Sequence, residues 1–198
     1  MFSLPVHTNP QKYSNSILAQ FGSQLNSAGL LWGVGASAML YQYGLADCPN
    51  DIDIIVAEND VKKADSILSA MGQKQEREES GIYATKYFYE YKLPSMDVDV
   101  MSGFRLNLPL GVYSYIFDEH STPTIFNIDG TDIPFTTLED WYVLYQLMPG
   151  KNQKALIVEN YLREKGIRHP FLLKRMINQK TLSENVIERI KSLVEDSK

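Results

Sequence analysis

The sequence is poor in the residues that form disulfides, zinc sites and nucleic-acid footprints. Its 198 residues contain one cysteine and three histidines, which excludes an internal disulfide and a cysteine-rich zinc site. The net charge is −5, whereas a protein that covers duplex nucleic acid needs a basic stripe. No apolar run approaches the roughly 20 residues that a membrane helix needs. We therefore expect neither duplex nucleic acid nor a membrane as a partner.

The first residues are not expected to form a secretory signal peptide. Residues 1–7 have no positive stretch and no long apolar run, and a secretory signal peptide requires both. Hydrophobic residues make up 44% of the chain and charged residues 22%, as in ordinary globular proteins. The sequence therefore predicts a soluble, cytoplasmic protein with one domain, or one domain and a small helical part.

Two short apolar segments each carry a pair of aspartates. Asp51 and Asp53 alternate with isoleucines, and Asp97 and Asp99 alternate with valines. Residues i and i+2 of a β-strand point to the same face, so each pair shares a face. Carboxylates on such apolar strands are costly unless a positive group lies among them. A divalent metal is the simplest such group, and the pattern favours phosphoryl or nucleotidyl transfer on a two-metal site.

A glycine-containing turn precedes the first acidic strand. Gly33 and Gly35 follow an apolar segment and lead into a predicted helix over 36–43. Such glycines are suited to a phosphate-binding turn, and close packing of a strand against a helix is the alternative reason for them. A solvated edge strand would explain one aspartate pair, but two pairs after a glycine turn favour the metal site.

Alternating and helical patterns predict a mixed sheet flanked by helices. Apolar residues at helical spacing mark a helix over 14–28 and a second helix that ends before Gly72. Asp129 and Gly130 favour the positive φ angles of a tight hairpin turn. The strands that we predict are 30–34, 51–56, 81–93, 96–101, 112–117, 125–128 and 131–135.

One predicted strand carries a row of tyrosines. The row could stack a nucleobase, but a half-buried sheet face explains it better, because aromatic residues favour such surfaces. Its members are Tyr83, Tyr87, Tyr89 and Tyr91.

From residue 136 the apolar residues recur at the spacing of a helix. Thr136 and Glu139 form a capping box at the start of a helix that reaches about Met148. Three further helices follow, over 152–165, 170–178 and 183–195. We therefore predict an α+β fold with an α/β core over 1–135 and a helical segment over 136–198 that packs on it.

The order of these elements resembles the nucleotidyltransferase superfamily, which has the polymerase-β-like fold. Gly35-Ala36-Ser37 stands where that family has its glycine turn, and Asp51 and Asp53 match its paired metal ligands. The second acidic strand matches the strand of the third carboxylate. The resemblance covers about residues 15–104 and extends weakly to 134–140. It implies a Mg²⁺-dependent transfer of a nucleoside monophosphate from a nucleoside triphosphate, such as ATP, to a hydroxyl.

The resemblance also implies a role for each carboxylate. Asp51 and Asp53 would hold two Mg²⁺ ions about 3.5–4 Å apart, since hard oxygen ligands suit this metal. Asp99 is favoured as the third ligand, which would also orient or deprotonate the attacking hydroxyl. Asp97 is the alternative ligand, or a partner that supports Asp99.

Phosphate binding is expected beside the carboxylates. The backbone N–H groups of Gly35, Ala36 and Ser37 would meet the triphosphate, and either Lys151 or Lys154 could contact a phosphate. The family more often has Gly or Ser at the position of Ala36. It also often has an Arg before the paired aspartates and a Lys-Asp pair in the helical segment, and this chain has neither.

These departures keep a second function open. A non-catalytic member of the same fold would act as a binding or regulatory module, for example as an antitoxin-like partner of another chain. A third candidate is a metal-dependent phosphohydrolase on another α/β scaffold, but it would need histidines or further carboxylates near the site. The enzyme's expected partners are a nucleoside triphosphate and a hydroxyl of a small molecule or of a protein.

Overall fold

A computed structural model describes residues 15–75 and 81–196. The predicted absence of a targeting signal concerns residues that lie outside this part. A seven-stranded sheet forms the centre of the fold, with a separate two-stranded hairpin beside it. None of the described helices is both long enough and apolar enough to cross a membrane.

Helices and strands alternate in the first part of the chain, and the last part is helical. The helices are α1 (Asn15–Ser27), α2 (Ala36–Gln42), α3 (Val61–Met71), α4 (Leu138–Leu147), α5 (Asn152–Lys165), α6 (Pro170–Ile177) and α7 (Glu184–Asp196). The strands are β1 (Trp32–Val34), β2 (Asp51–Val56), β3 (Gln73–Gln75), β4 (Tyr87–Lys92), β5 (Asp97–Ser102), β6 (Arg105–Leu108), β7 (Gly111–Ser114), β8 (Thr124–Ile128) and β9 (Thr131–Phe135).

The large sheet is mixed, in the order β3-β4-β5-β2-β1-β9-β8. Strand β2 pairs in parallel with β5, and β1 pairs in parallel with β9. The other pairs in this sheet are antiparallel. A mixed sheet with helices around it confirms the predicted α+β class.

The aspartates and the apolar residues of β2 and β5 lie on opposite faces of the sheet. The apolar residues of the two strands, Ile52, Ile54, Val98 and Val100, are fully buried. Apolar residues on one face fix the register of a strand, because a slip by one residue would bury the other face. Burial of the aliphatic side chains therefore determines where the carboxylates point.

The tyrosine row divides between two surfaces. Tyr87, Tyr89 and Tyr91 pair with β5 residues on the aliphatic face, and the Lys74 ammonium lies 3.4 Å from the Tyr89 ring centroid. The hydroxyl of Tyr91 donates to Asp65 at 2.5 Å. These three residues confirm the predicted half-buried sheet face, whereas Tyr83 lies elsewhere.

The predicted strand over 81–93 starts later than expected, at β4. Residues before β4 leave the large sheet, and their N–H groups bond the stretch that follows β5: Ala84 N–H donates to Arg105 at 3.0 Å and Lys86 N–H donates to Gly103 at 3.1 Å. Strands β3 and β6 were not predicted. The sequence of β3 is polar throughout, so it offers no alternation to detect.

The N-terminus of α4 differs from the predicted capping box. Thr137 is the cap, and its hydroxyl accepts the N–H of Asp140 at 3.1 Å. Thr136 instead donates to the carbonyl of Val34 at 2.8 Å and accepts the indole N–H of Trp141 at 2.7 Å. Strand β9 lies beside β1, and the Thr136 hydroxyl that follows β9 bonds to the last residue of β1. This hydroxyl is therefore not available as the helix cap, and Thr137 caps α4 instead.

Helix α4 is enclosed on all sides. All of its residues from Leu138 to Tyr145 are buried, and it contacts α5, α6 and α7. A helix that is buried on all sides is a core element, and α4 also carries the buried carboxylates of Glu139 and Asp140. The division of the chain at residue 135 stays a prediction.

Candidate active site

The four aspartates of the acidic strands lie on one face in two cross-strand pairs. In the parallel ladder, Asp51 is opposite Asp97 and Asp53 is opposite Asp99. Side chains that are in register on adjacent strands share a face. Asp51, Asp53 and Asp99 are half-buried, and Asp97 is exposed.

Asp53 is the most strongly perturbed of these groups. Burial raises the pKa of Asp53 to about 8, and the charges of Asp51 and Asp99 raise it as well. Lys154 and Lys151 oppose this effect. A carboxyl that is desolvated beside two like charges resists ionisation, so a further cation at this place would be strongly favoured.

The structure does not show a closed metal site. Within residues 15–75 and 81–196, no three His, Cys, Asp or Glu side chains are gathered in the geometry of a metal site. The ligand set of Asp51, Asp53 and Asp99, with Asp97 as the alternative, therefore stays a prediction. The carboxylates would have to draw together around an ion.

The turn between β1 and α2 lies directly beside Asp53. The N–H of Gly35 donates to the carbonyl of Asp53 at 2.9 Å. A Cβ atom on Gly35 would lie 2.4 Å from Cζ2 of Trp141, and one on Gly33 would lie 2.5 Å from Cγ2 of Thr122. Close packing therefore requires both glycines, and contact of this turn with phosphate stays a prediction.

Ala36 adopts an unusual backbone conformation at the start of α2. Its φ angle is +45°, in the left-handed region that favours glycine. The family has Gly or Ser more often at this position, and the structure shows that Ala36 is strained there. Strained backbone of this kind often occurs at functional sites.

Two lysines of the helical segment face the aspartates. The ammonium of Lys154 donates to the hydroxyl of Ser37 at 2.6 Å, and it lies 5.6 Å from the Tyr145 ring centroid. Burial lowers the pKa of Lys154, and Lys151 lowers it further, whereas Asp53 and Asp51 act in the opposite direction. Both lysines are thus close to the predicted carboxylate site, and Lys154 joins the glycine turn to α5.

A cleft of about 440 Å³ is lined by six of the predicted site residues, namely Ala36, Ser37, Asp51, Asp53, Lys151 and Lys154. Most of its other lining was not predicted as functional, because aromatic residues at core-like spacing are usually structural. Tyr83 belongs to the tyrosine row described above. The remaining members are Asn50, Thr85, Phe88, Met101, Phe104, Trp141, Tyr145 and Met148.

Two buried hydroxyls in the cleft have no hydrogen-bond partner among the described residues. They are Oγ1 of Thr85 and the phenol of Tyr145. Burial raises the pKa of Tyr145, and the charge of Asp53 adds to this, so the phenol stays protonated. Since buried polar groups are normally paired, both hydroxyls can hydrogen bond to a ligand.

A second, more open chamber adjoins the first. Its volume is about 610 Å³, and residues 44–50 form much of its wall. Ser37, Asn50, Asp51 and Lys154 line both chambers. The Ser37–Lys154 hydrogen bond and Asp51 therefore lie where the two chambers meet.

Comparison with known proteins finds likeness in structure alone. No protein-family model matches the sequence, and no curated protein matches it. The Thermotoga maritima protein TM1012, described as a nucleotidyltransferase, has a TM-score of 0.57 and 22% identity over 75% of this chain and 92% of its own.

Two antibiotic-modifying proteins also have similar structures. ANT(2″)-Ia in complex with adenylyl-2″-tobramycin has a TM-score of 0.53 and 11% identity, over 91% of this chain and 97% of its own. The lincosamide antibiotic adenylyltransferase LnuA with bound lincomycin has a TM-score of 0.50 and 12% identity, over 75% of this chain and 98% of its own. The chain therefore has the fold of the nucleotidyltransferase superfamily.

Proposed function

We propose that the protein is a Mg²⁺-dependent nucleotidyltransferase that moves a nucleoside monophosphate from a nucleoside triphosphate to a hydroxyl. One observation carries the proposal. Asp51 and Asp53 line a cleft in which Lys154 donates to Ser37 of the glycine turn, and Asp99 on the neighbouring parallel strand is in register with Asp53. This arrangement places anionic metal ligands beside cationic phosphate ligands, and both are needed to handle a triphosphate.

The donor set fits Mg²⁺. Carboxylate oxygens are hard ligands, and Mg²⁺ keeps several waters, so a few carboxylates on rigid strands suffice. Asp51 and Asp53 would hold the ions together with Asp99. The influence of Asp99 on the pKa of Asp53 supports Asp99 over Asp97, since Asp97 is exposed.

Each residue has a distinct part in the proposed reaction. The acceptor hydroxyl attacks the α-phosphorus, and pyrophosphate leaves on the opposite side. Mg²⁺, when bound, would neutralise phosphate charge and favour the deprotonated hydroxyl. Asp99 would orient that hydroxyl and accept its proton. Lys151, Lys154 and Ser37 would bind the departing phosphates, because cations and hydroxyl donors stabilise them.

The acceptor is proposed to be a small molecule. ANT(2″)-Ia and LnuA are seen with antibiotic molecules, and the cleft of this chain, about 440 Å³, falls in the range of small-ligand sites. From those two proteins we carry over to this chain only the general class of acceptor, a small molecule. Cytoplasmic location and ATP as the donor belong to the same proposal.

The proposal is tested by binding of a non-hydrolysable ATP analogue to the folded protein with and without Mg²⁺. We expect a rise in melting temperature that requires both, and its loss in the double variant Asp51→Asn, Asp53→Asn. The matched control is Asp129→Asn, Asp132→Asn, which removes the same charge from the β8–β9 hairpin. Normal Mg²⁺-dependent binding by the first variant would refute the site assignment.

The third carboxylate is tested separately. We expect Asp99→Asn to weaken Mg²⁺-dependent binding of the analogue more than Asp97→Asn does. The reverse order would make Asp97 the ligand and would leave the proposed activity in place.

One observation favours a non-catalytic binding module as a second candidate. The Lys154 ammonium interacts favourably with Asp51 and Asp53, so part of their charge is compensated within the chain. A protein of this kind would bind nucleotide equally well with Mg²⁺ and with a chelator, and it would release no pyrophosphate. Calorimetric titration of the protein with the nucleotide, once with Mg²⁺ and once with a chelator, separates the two functions.

A further inference from the structure

The two ends of the aromatic cleft differ in chemistry. At one end Lys154 donates to Ser37 at the start of α2. At the other end the lining comes from β4, β5 and the strand-like stretches next to them. Strand β4 is two positions from β2 in the sheet, which is about 10 Å at the usual strand spacing.

The second end is an apolar surface, which we name the aryl wall. Its two members that belong to the large sheet, Met101 and Phe88, lie on the same face as the carboxylates, because Met101 pairs with both Ile55 and Phe88. Met101 is also two residues after Asp99, so these side chains are neighbours on that face. The aryl wall consists of Tyr83, Thr85, Phe88, Met101 and Phe104.

The direction of the reaction decides which substrate meets the aryl wall. In-line displacement requires the attacking hydroxyl and the leaving pyrophosphate to lie on opposite sides of the phosphorus. If Ser37 and Lys154 bind the pyrophosphate, the hydroxyl must approach from the side of β5. Asp99 is not one of the residues that line the cleft, but it is in register with Asp53 and lies two residues before Met101. A molecule whose hydroxyl reaches Asp99 from there lies over Met101 and Phe88.

The composition of the aryl wall limits what this molecule can be. None of its five members is charged, and the buried Thr85 hydroxyl has no partner among the described residues. Among the residues that line the cleft, the carboxylates are Asp51 and Asp53. A polycationic compound would therefore compete with the metal for these groups, and Lys151 and Lys154 would repel it.

We propose that the acceptor is an uncharged aryl alcohol or phenol that packs on Phe88 and Phe104 and directs its hydroxyl to Asp99. This inference rests on the proposed function and names the acceptor class for the same site. Aromatic rings pack on one another in offset or edge-to-face arrangements. The Thr85 hydroxyl would hydrogen bond to a second polar atom of the acceptor, which a simple hydrocarbon ring lacks.

The experiment measures acceptor binding and transfer in the full chain with Mg²⁺ and ATP. The probes are 4-hydroxybenzyl alcohol, 2-naphthol and 7-hydroxyflavone, with kanamycin as the polycationic probe. We expect saturable binding of at least one aryl hydroxyl, followed by pyrophosphate release and an adduct of AMP in the mass spectrum. Preference for kanamycin, or no saturable binding of any aryl probe, would overturn the inference.

Variants of β4 link the acceptor to the aryl wall. We expect Phe88→Leu to raise KM for the aryl acceptor about fivefold or more, with KM for ATP within about twofold of wild type. Thr85→Val, which keeps the shape and removes the hydroxyl, should raise acceptor KM without a change in melting temperature. The matched control is Tyr89→Leu, which lies on the opposite face of the same strand.

The outcomes separate this inference from the function on which it rests. A rise in KM for ATP alone would mean that the aryl wall binds the nucleobase, and the inference would fail while the activity stands. Failure of the wild type to bind ATP in the presence of Mg²⁺ would refute the proposed function itself. A tyrosine-containing decapeptide is assayed in parallel, and transfer to it but to none of the free phenols would overturn the small-molecule acceptor.

Discussion

Asp53 and Asp140 are both acidic groups whose pKa is raised by burial, but their surroundings differ. Burial raises the pKa of Asp53 to about 8 and that of Asp140 to about 7. Asp53 has two like charges close by, and lysines compensate them only in part. Asp140 accepts a hydrogen bond from the Tyr115 hydroxyl. Tyr115, Thr137 and the charge of Arg175 all lower its pKa against the effect of burial, whereas the charge of Glu139 raises it.

The second environment is built into the core of the molecule. The hydroxyl of Tyr115 donates to Asp140 at 2.6 Å, and Arg175 pairs with Asp118 at 2.6 Å. This network joins α4 to α6 and to the segment after β7. Asp140 therefore holds elements together, whereas Asp53 lies in an open cleft and lacks comparable internal compensation. This difference is what the proposed binding role of Asp53 and a structural role of Asp140 would require.

The largest expected effect comes from Asp53→Asn. We expect Mg²⁺-dependent nucleotide binding or turnover to fall by about 100-fold or more, as when a group that handles transition-state charge is removed. Without Mg²⁺ at pH 8, the free energy of unfolding should stay equal or rise, because one of three crowded carboxylates becomes neutral. Activity assays and urea unfolding measure the two quantities. A marked loss of stability with activity intact would reverse the comparison.

The opposite result is expected for Asp140→Ala. At about pH 5, where the carboxyl of the folded protein is neutral, its loss leaves the Tyr115 hydroxyl without its acceptor, so stability should fall by about 2–3 kcal/mol. Mg²⁺-dependent nucleotide affinity, corrected for the folded fraction, should stay within about twofold of wild type. The control is Asp140→Asn, which retains an acceptor oxygen and should cost less. A large loss of affinity in folded Asp140→Ala protein would place Asp140 in the binding machinery.

The features that the sequence predicted correctly are local. The alternation of aspartate with aliphatic residues defined β2 from Asp51 to Val56, and Asp129 and Gly130 adopt positive φ angles in the predicted hairpin turn. Burial of one face and turn chemistry act over a few residues, so a short segment carries the information.

The features that the sequence did not show depend on distant segments. Lys154 and Ser37 are 117 residues apart in the chain, and no local pattern indicates that they meet. Phe88, Phe104 and Trp141 have the composition of a core, but they line the cleft that distant segments of the chain form together. The cap at Thr137 also depends on a distant segment, because the Thr136 hydroxyl bonds to Val34 of β1.

A pH titration of stability sharpens the comparison further. The pKa of Asp140 in the folded protein, about 7, is above the ordinary value of 3.8. The neutral carboxyl therefore contributes stability that is fully present below pH 4 and is lost as pH rises through 7. Relative to Asp140→Asn, the wild type should lose up to about 1 kcal/mol per pH unit in this range. Unfolding by urea at a series of pH values, without Mg²⁺, tests this, and parallel curves for the two proteins would contradict it.

The smallest effect is expected at Ala36, and it concerns the site side of the comparison. At a φ angle of +45° an alanine side chain is strained by about 1–2 kcal/mol, and glycine removes this strain but loses about 0.5–1 kcal/mol through the entropy of the unfolded chain. Ala36→Gly should therefore stabilise the protein by about 0.5 kcal/mol. Ala38→Gly, in the same helix but fully buried, should instead destabilise it. Urea unfolding of both variants and of the wild type measures whether each substitution raises or lowers the free energy of unfolding. A destabilised Ala36→Gly variant would show that the turn, like Asp140, is optimised for stability.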